Sequence, residues 1–488
     1  MNSYQLISLE IATVLLGLGI LLADLWIAPA KRRMLGFIAA AGVAVIFAAS
    51  FSPAFPDFGT AFGKMYVFDG LSLFFKRFFL AAAFIVLLLA IDFADRIAVG
   101  ISEFYSLILF ALAGMMFAAS SNDFTLMFAA LELITITFYV LTSFQRNKLQ
   151  SLEAGVKYLI LGALSTGFTV FGIALVSGIA GTTNFIELSA KLKDISGDPI
   201  FLIGLLLLTT GLGFKIAAFP FHVWAPDVYQ GSPAPVTAFL AVGSKAAGIV
   251  LLMRVLFVAV PEVAKSWSGL LAFISGATIL YGSLCAIPQR SLKRLLGYSS
   301  IANAGFLMLG IAAVNKDGVT AVLVYLVGYL FAVLAAFTVI SIITRNAESD
   351  DISVLAGLSK RSPMLAAALT FSMVSLAGIP PLAGFFGKFL LLKAVIKAGA
   401  VSGAHFVLLA VAVVAVVVSL YYYFGVIRAI FWSKDVSDHS PIPVPRALAF
   451  TLAVCMAGMF LLGVFPRILV DVDAESLNSA VGVFARLL

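Results

Sequence analysis

The sequence predicts an all-α, polytopic membrane protein. Of its 488 residues, 62% are hydrophobic and 11% are charged, and the mean hydropathy is +1.11. A soluble domain carries roughly 25% charged residues. Apolar runs of about twenty residues, the length at which a helix spans a bilayer, follow one another through the whole chain. Because only short polar loops join them, we predict no separate soluble domain.

About fourteen membrane spans are predicted from these runs. The seventh and the twelfth contain prolines, which remove a backbone donor and break a helix. The longest predicted loops are 52–70, 179–198, 344–362 and 432–445. The spans are predicted at 4–26, 33–51, 71–92, 101–119, 122–144, 153–178, 199–231, 235–259, 267–287, 293–313, 318–343, 363–398, 403–431 and 446–465.

The two broken spans indicate an internal repeat. They are five spans apart, and a unit with an odd number of spans reverses its membrane orientation when it is repeated. We therefore predict two inverted five-helix units, spans 4–8 and 9–13, inside one transmembrane domain that covers 1–488. The predicted divisions are 1–93 for three peripheral spans, 101–259 for the first unit, 267–431 for the second, and 446–488 for the last span and a C-terminal tail.

The distribution of Lys and Arg predicts the orientation of the chain. Loops after odd-numbered spans hold fourteen of these residues, and loops after even-numbered spans hold five. Cytoplasmic loops carry the excess of positive charge, so both termini are predicted on the periplasmic side of the inner membrane. The first apolar run, 1–26, lacks a basic leading segment and is predicted to stay as a span.

The stretch Phe201–Leu256 carries the clearest functional signal. Lys215 lies about fourteen residues into one apolar run, Pro220 interrupts it, and Lys245 lies near the middle of the next. A charge at the bilayer centre costs roughly 2.5 to 3.5 kcal/mol, and a broken helix is tolerated only inside protein or beside water. The pattern predicts an ion path at mid-membrane. The simpler alternative is that both lysines extend to a membrane surface, and their depth argues against it.

Four further residues are candidates for the same path. Glu132 lies in the middle of span 5, where a buried carboxylate needs a partner. Lys388 follows the second break, Pro380–Pro381. His222 lies beside the first break, and its ordinary pKa near neutrality suits proton transfer. Lys157, near the cytoplasmic end of span 6, fits either an anchor or a relay.

Other residues in the spans have simpler expected roles. Three ionisable side chains near span ends are expected mostly at the membrane interface: Lys76, Arg77 and Asp92. Three glycines of span 6 suit close helix packing: Gly162, Gly167 and Gly172. Arg254 lies deeper in span 8 than an interfacial anchor requires.

Composition and spacing also argue against several kinds of chemistry. The two cysteines lie in apolar runs, and no metal-ligand or iron–sulfur spacing occurs. There is no glycine-rich phosphate loop. The net charge of +7 comes from scattered residues, without the basic stripe that nucleic-acid binding requires. We therefore expect no redox centre, nucleotide site or nucleic-acid partner in this chain.

The segment from Lys215 to Lys245 resembles the antiporter-like, proton-pumping membrane subunits of NADH–quinone oxidoreductase (complex I). That family in turn resembles the large subunits of Mrp-type cation/proton antiporters. The run Tyr229–Pro233 and a lysine at position 388 look most like the subunit N branch. The resemblance covers nearly the whole chain, and the segment that carries it is highly specific.

The resemblance implies a polar axis along mid-membrane, which moves protons when other subunits oxidise NADH and reduce quinone. It implies that flavin, iron–sulfur clusters and quinone belong to partner subunits and that no cofactor binds here. Expected partners are the other membrane subunits and the lipid bilayer, with NADH and quinone reached only through the complex. The implied axis residues are Glu132, Lys215, Lys245 and Lys388, joined by His222 and Lys157.

A mechanism follows as a hypothesis. A nearby opposite charge favours the charged form of a buried group, so Glu132 is expected to pair with Lys215 and hold it protonated. Weakening of that pair would release the proton through water to Lys245, with His222 as a bridge. Lys388 would then release a proton toward the periplasm.

Three alternative functions stay open on the sequence. The first is an Mrp-type antiporter subunit, or a membrane subunit of a related hydrogenase. The second is a free-standing solute transporter, which would need a hydrogen-bonding pocket at the repeat interface. The third is a structural subunit whose charges hold the bundle together, so that replacing Glu132 would abolish assembly.

Overall fold

The computed structural model describes residues 3–52, 57–345, 347, 349–399, 404–433 and 440–466. In this part of the chain, eleven helices are long and apolar enough to cross a membrane by length and composition. The helices are α1 (Ser3–Leu6), α2 (Ser8–Asp24), α3 (Arg33–Ala49), α4 (Gly70–Phe93), α5 (Ile101–Ala119), α6 (Phe124–Thr142), α7 (Leu149–Ala180), α8 (Phe185–Ile195), α9 (Pro199–Ile216), α10 (Ala225–Gly231), α11 (Ala234–Phe239), α12 (Lys245–Arg254), α13 (Ala264–Ala286), α14 (Leu292–Ala312), α15 (Lys316–Ile343), α16 (Leu358–Arg361), α17 (Pro363–Ala377), α18 (Ala383–Gly399), α19 (Ala404–Trp432) and α20 (Arg446–Val464).

The predicted all-α membrane fold is confirmed, and each predicted span contains a helix. The count of fourteen spans stays a prediction, since α2, α3 and α17 have only 17, 17 and 15 residues. The inverted repeat also stays a prediction. The predicted C-terminal tail from 467 onward lies outside the described residues.

The sequence missed two elements in the predicted loops. Loop 52–70 forms an antiparallel hairpin of β1 (Gly59–Ala61) and β2 (Tyr66–Phe68). Loop 179–198 contains α8, whose N-cap Asn184 accepts hydrogen bonds from the backbone of Ile186 and Glu187. Because both elements are too short to produce a membrane-length apolar run, the pattern of apolar runs does not predict them.

The two predicted breaks have the same local geometry. After α9, Ala217 adopts a left-handed conformation with φ of 59°, and after α17 Gly378 does so with φ of 83°. In each case the amides of this residue and the next bond back to carbonyls three and five residues earlier, which caps the ending helix. A cis peptide bond then precedes Pro220 and Pro381 at the same distance from the left-handed residue.

The centre of the bundle is formed by α4, α11–α12, α14 and α15. Their spans are the most buried of the candidate membrane helices, whereas α7, α19 and α20 are the least buried and present apolar side chains outward. The central span Ala234–Ala259 contains two π-helical segments, Leu240–Ser244 and Val255–Ala259, on either side of α12. Such insertions occur frequently at functional sites.

Glycine packing joins α7 to α9. A Cβ added at Gly172 would lie 2.5 Å from the backbone nitrogen of Leu208 and 2.7 Å from the carbonyl oxygen of Gly204. A Cβ at Gly162 would overlap the hydroxyl of Tyr139. Gly167, by contrast, has nothing within 4 Å. The expectation of close packing is therefore right for two of the three glycines and wrong for Gly167.

We predict that Gly172→Ala destabilises the protein by about 1 to 3 kcal/mol, because a backbone neighbour cannot move aside for the new methyl group. The melting temperature of the purified complex and the amount of this subunit in membranes measure the effect. Gly167→Ala, in the same helix but in open space, is the matched control. It should be neutral or slightly stabilising, and equal damage from both substitutions would contradict the packing argument.

Candidate functional site

Lys215 is buried in the last turn of α9, with 7% of its surface exposed. Its ammonium group donates a hydrogen bond to the hydroxyl of Thr135 on α6. That hydroxyl in turn donates to the carbonyl oxygen of Leu131 at 2.5 Å. The cation is therefore held by a neutral oxygen whose own direction is fixed by the helix.

Glu132 lies one turn before Thr135, on the same face of α6. Its carboxylate accepts a hydrogen bond of 2.8 Å from Thr166 on α7. In the described part of the chain, no ion pair within 4.0 Å joins Glu132 to Lys215. The expected direct pair is therefore not formed, because Thr135 takes the ammonium group and Thr166 takes the carboxylate. Glu132 still acts on Lys215 electrostatically.

Lys245 begins α12, directly after a π-helical segment, and is 3% exposed. Its ammonium group donates to both the carbonyl and the hydroxyl oxygen of Ser300 on α14. The same hydroxyl lies 2.9 Å from the Tyr229 hydroxyl and 3.0 Å from that of Tyr329. Lys245 is thus one member of a buried cluster of hydroxyl groups contributed by α10, α14 and α15.

A second polar cluster lies one turn further along α14. Tyr325 donates a 2.7 Å hydrogen bond to the amide oxygen of Asn303, and the amide nitrogen of Asn303 donates to Ser299 at 3.4 Å. The Ser299 hydroxyl meets the Tyr423 hydroxyl of α19 at 2.5 Å. The sequence analysis missed these residues, although Ser299, Ser300 and Asn303 interrupt an apolar span at helical spacing.

Lys388 lies in α18, beyond the second break, and is 4% exposed. Its ammonium group donates to the carbonyl oxygen of Leu376 at 2.7 Å, one of the carbonyls freed where α17 ends. It also lies 4.9 Å from the ring centre of Phe306 on α14. The preceding Gly387 packs so closely on Tyr325 that an added Cβ would lie 2.6 Å from the ring.

Helix α14 therefore contacts both Lys245 and Lys388. Ser300 contacts the first lysine, Phe306 contacts the second, and Asn303 lies between them at three-residue spacing. The structure brings these two lysines to one helix face from two different broken or distorted spans.

His222 is buried in the first break. Its ring centre lies 4.1 Å from that of Tyr281 on α13 and 5.6 Å from that of Phe219. Neither ring nitrogen has a hydrogen-bond partner among the described residues. Since buried polar atoms are rarely left without partners, these two nitrogens mark a place where water or a moving group is expected.

Lys157 is half-buried on α7 and forms ion pairs with Glu153 at 2.7 Å and Asp227 at 2.8 Å. Asp227 belongs to α10, in the break, and also pairs with Arg294 of α14 at 2.5 Å. These side chains line a cavity of about 230 Å³. Lys157 is thus tied electrostatically to the broken span.

Two of the charges near span ends are buried inside the protein in ion pairs. Lys76 is fully buried, 2.9 Å from the carboxylate of Glu10 and hydrogen-bonded to Tyr66. Asp92 is buried beside the partly exposed Arg345 at 2.5 Å. Their position at the membrane interface stays a prediction.

Arg254 also forms an ion pair that has a structural role. Its guanidinium donates two hydrogen bonds to Asp69, the N-cap of α4, at 2.8 and 3.1 Å, and a third to the carbonyl oxygen of Ala119. This arrangement fixes the end of α12 to α4 and α5. It explains why the arginine lies deeper than an interfacial anchor.

Metal ligands are not grouped in the described ranges, where no cluster of three or more His, Cys, Asp or Glu could hold an ion. Cys285 and Cys455 are both free thiols. The polar groups brought together by the fold are lysines, hydroxyls, carboxylates and one histidine, all of which can take part in proton transfer.

A polytopic bundle with two capped, proline-broken helices and three buried lysines held by neutral oxygens defines the class of antiporter-like membrane proteins. The family described as "NADH:quinone oxidoreductase/Mrp antiporter, TM" matches residues 121–414. The curated NADH-quinone oxidoreductase subunit N of Moorella thermoacetica is 39% identical over 99% of this chain and 100% of that protein. The subunit N of Desulforamulus reducens is 37% identical over 96% and 97%.

Solved structures agree with this grouping. A chain of respiratory complex I from Thermus thermophilus with bound aureothin has a TM-score of 0.79 and 32% identity, covering 95% of this chain and 98% of its own. A chain of an archaeal membrane-bound sulfane sulfur reductase (TM-score 0.86, 23% identity, coverage 100% and 99%) shows the same fold. So does a chain of the Mrp complex from a Dietzia species (0.80, 21%, 98% and 99%).

The chain belongs to the subunit N family of NADH-quinone oxidoreductases, as the sequence resemblance indicated. It is a multi-pass membrane subunit of that oxidoreductase complex.

We predict that Asp69→Asn destabilises this subunit by about 3 kcal/mol, because it leaves the buried Arg254 charge uncompensated. Asparagine keeps the N-cap function, so the loss isolates the charge. Thermal unfolding and assembly of the complex measure the effect. Asp95→Asn breaks an exposed pair with Arg33, at 3.3 Å, and should change stability by less than about 1 kcal/mol. Equal effects would contradict a structural role for Arg254.

Proposed function

We propose that this chain moves protons across the membrane through Lys215, Lys245 and Lys388, coupled to NADH oxidation and quinone reduction in other subunits. One observation carries the proposal. Each of these buried ammonium groups is held by neutral oxygen atoms, and none has a carboxylate within ion-pair distance in the described part of the chain. Burial disfavours the charged form of a lysine unless a carboxylate restores it. These three cations can therefore give up a proton, whereas the carboxylate of Glu10 favours the charged form of Lys76.

The cluster of Lys157, Asp227 and Arg294 is the proposed entry to this path. Its cavity reaches the partly exposed end of the broken span, and Asp227 lies in the same break as His222. Proton exchange there would not require the buried lysines to contact bulk water. Lys157 then acts as a charged partner at the opening rather than as a membrane anchor.

Transfer from Lys215 to Lys245 is proposed across the interface of α9 and α12. A Cβ at Gly248, one turn after Lys245, would lie 3.3 Å from the Cβ of Lys215 and 2.7 Å from Ile216. The two helices therefore touch where the lysines lie. Water next to the unpaired nitrogens of His222 would complete the connection, and Glu132 would set how readily Lys215 stays charged.

Transfer from Lys245 to Lys388 is proposed along α14. The first cluster includes Ser300 and Tyr329, and the second includes Asn303 and Tyr325. In the described ranges no hydrogen bond joins the two clusters, so a water molecule or a hydroxyl rotation would have to connect them. Release toward the periplasm from Lys388 follows the family resemblance.

The topology and the cofactor assignment are part of the same proposal. Both termini are placed on the periplasmic side of the inner membrane, because of the Lys and Arg bias of the loops. The five-helix units 101–259 and 267–431 are placed in opposite orientations, which the matching geometry of the two breaks supports. Flavin, iron–sulfur clusters and quinone are assigned to partner subunits.

We predict that both Lys215→Ala and Lys215→Arg lower proton pumping by about a hundredfold or more, the lower end of what a proton-transfer group contributes. Arginine keeps the positive charge but cannot release a proton. Pumping is measured as NADH-driven acidification in proteoliposomes, and assembly by the content of all subunits. Lys360→Ala and Lys360→Arg, at an exposed lysine, are the controls. Normal pumping by a fully assembled Lys215→Arg complex would refute the proposed role.

We predict that Tyr325→Phe slows pumping severalfold, because it removes the hydroxyl that donates to Asn303 between the two lysines. Tyr105→Phe is the matched control, since it deletes a buried hydroxyl that has no hydrogen-bond partner among the described residues. Both variants should assemble. The ratio of protons moved to NADH oxidised separates a transfer defect from a loss of complex, and an unchanged ratio and rate in Tyr325→Phe would exclude this route.

A further inference from the structure

A second polar cavity, of about 410 Å³, adjoins the Lys157 cavity and shares Gln150 and Gln230 with it. Its walls come from the segment after α4, the start of α7, the end of α10, the start of α14 and the segment after α15. Every one of these segments belongs to a loop that the Lys and Arg distribution places on the cytoplasmic side. Four basic residues line the cavity: Arg96, Lys148, Arg290 and Lys293.

Two carboxylates, Asp350 and Asp351, also line this cavity, and both accept hydrogen bonds. Asp350 accepts hydrogen bonds from the Ser291 hydroxyl at 2.5 Å and from the backbone nitrogen of Lys293 at 3.3 Å. Asp351 accepts from the backbone of Ser353 and caps a short helical turn. Neither carboxylate forms an ion pair within 4.0 Å with a described basic residue.

The basic groups, by contrast, keep free donors. Lys293 is used internally, since its ammonium group donates to the carbonyls of Gln230 and Ser232 at 3.0 and 3.1 Å. Arg96 donates to Ser341 at 2.6 Å, but its buried Nε has no partner. For the exposed side chains of Lys148 and Arg290, the described residues offer neither a hydrogen bond nor an ion pair.

Four basic residues line the cavity beside the two carboxylates of Asp350 and Asp351, so the lining carries an excess of positive charge. An anion would offset this excess and accept hydrogen bonds from the free donors. Guanidinium and ammonium groups bind phosphate oxygens through short, charge-assisted hydrogen bonds. Since a water molecule occupies about 30 Å³, the cavity admits a phosphate group together with several waters.

We propose that this cavity binds a phosphate-type anion, either the headgroup of an anionic phospholipid or free phosphate, through Lys148 and Arg290. Basic pockets between membrane helices on the cytoplasmic side are known to suit anionic headgroups. An anion bound there would lie beside Gln230 at the end of α10, which belongs to the break that follows Lys215.

The test uses the whole complex with Gln150→Cys in this subunit. Gln150 is exposed and lines the cavity, so an uncharged thiol reagent reports whether the cavity is occupied. Complex without the substitution corrects for the free native cysteines. One arm uses phosphatidylcholine nanodiscs with and without inorganic phosphate, at constant ionic strength. The other arm uses phosphatidylglycerol nanodiscs without phosphate.

We expect labelling to slow in at least one arm. Slowing by phosphatidylglycerol alone assigns a lipid headgroup, and slowing by added phosphate in phosphatidylcholine assigns free phosphate. The pair Lys148→Gln and Arg290→Gln should raise the phosphate or anionic-lipid level that gives half-protection by at least about tenfold. The pair Arg146→Gln and Lys360→Gln removes the same charge from exposed positions outside the cavity and should leave protection unchanged.

Two outcomes would overturn the proposal. The first is equal labelling in every arm, or equal protection in both charge-removed pairs. The second is slow labelling in every arm that ignores the Lys148 and Arg290 substitutions, which would mean that another subunit covers the cavity. Proton pumping is not a readout here, so failure of this site is separate from failure of the lysine path.

Discussion

A lysine at the depth of the lipid tails has lost its water, and the protein must replace that solvation or the charge cannot be held. Three lysines of this chain obtain it from neutral oxygens. Lys215 uses a threonine hydroxyl and Lys245 uses a serine. Lys388 uses a carbonyl that is free because α17 ends at the second break. The proline breaks, the π-helical segment before Lys245 and the polar face of α14 are all arranged around this requirement.

The buried charges fall into two groups that differ in their partners. Lys76 and Arg254 are paired with carboxylates and join α2, α4, α5 and α12 into one block. Removing one member of such a pair leaves the other charge buried without a partner, which destabilises the protein. The lysines of the path have hydroxyl and carbonyl partners, which stabilise an ammonium group and still allow it to become neutral. Both groups are buried inside the protein, and they differ in their partners.

The anion cavity and the lysine path share two elements. Lys293 at the start of α14 holds the end of α10, and Ser300, two turns along the same helix, holds Lys245. A ligand bound beside Lys293 therefore lies on the helix that also contacts two of the three lysines. This gives a physical route by which the lipid or phosphate environment would influence proton transfer.

The sequence by itself determined the helical membrane fold, the two breaks and the candidate residues Glu132, Lys215, Lys245 and Lys388, because hydropathy, proline and buried charge act locally along the chain. It did not determine which side chains form hydrogen bonds or ion pairs with these residues. That Thr135 rather than Glu132 binds Lys215, that Ser300 and Tyr329 surround Lys245, and that Lys76 is a core residue were decided only when distant helices packed together. A hydrogen bond forms only when two groups approach within about 3 Å. Local sequence patterns do not specify which distant segments come that close.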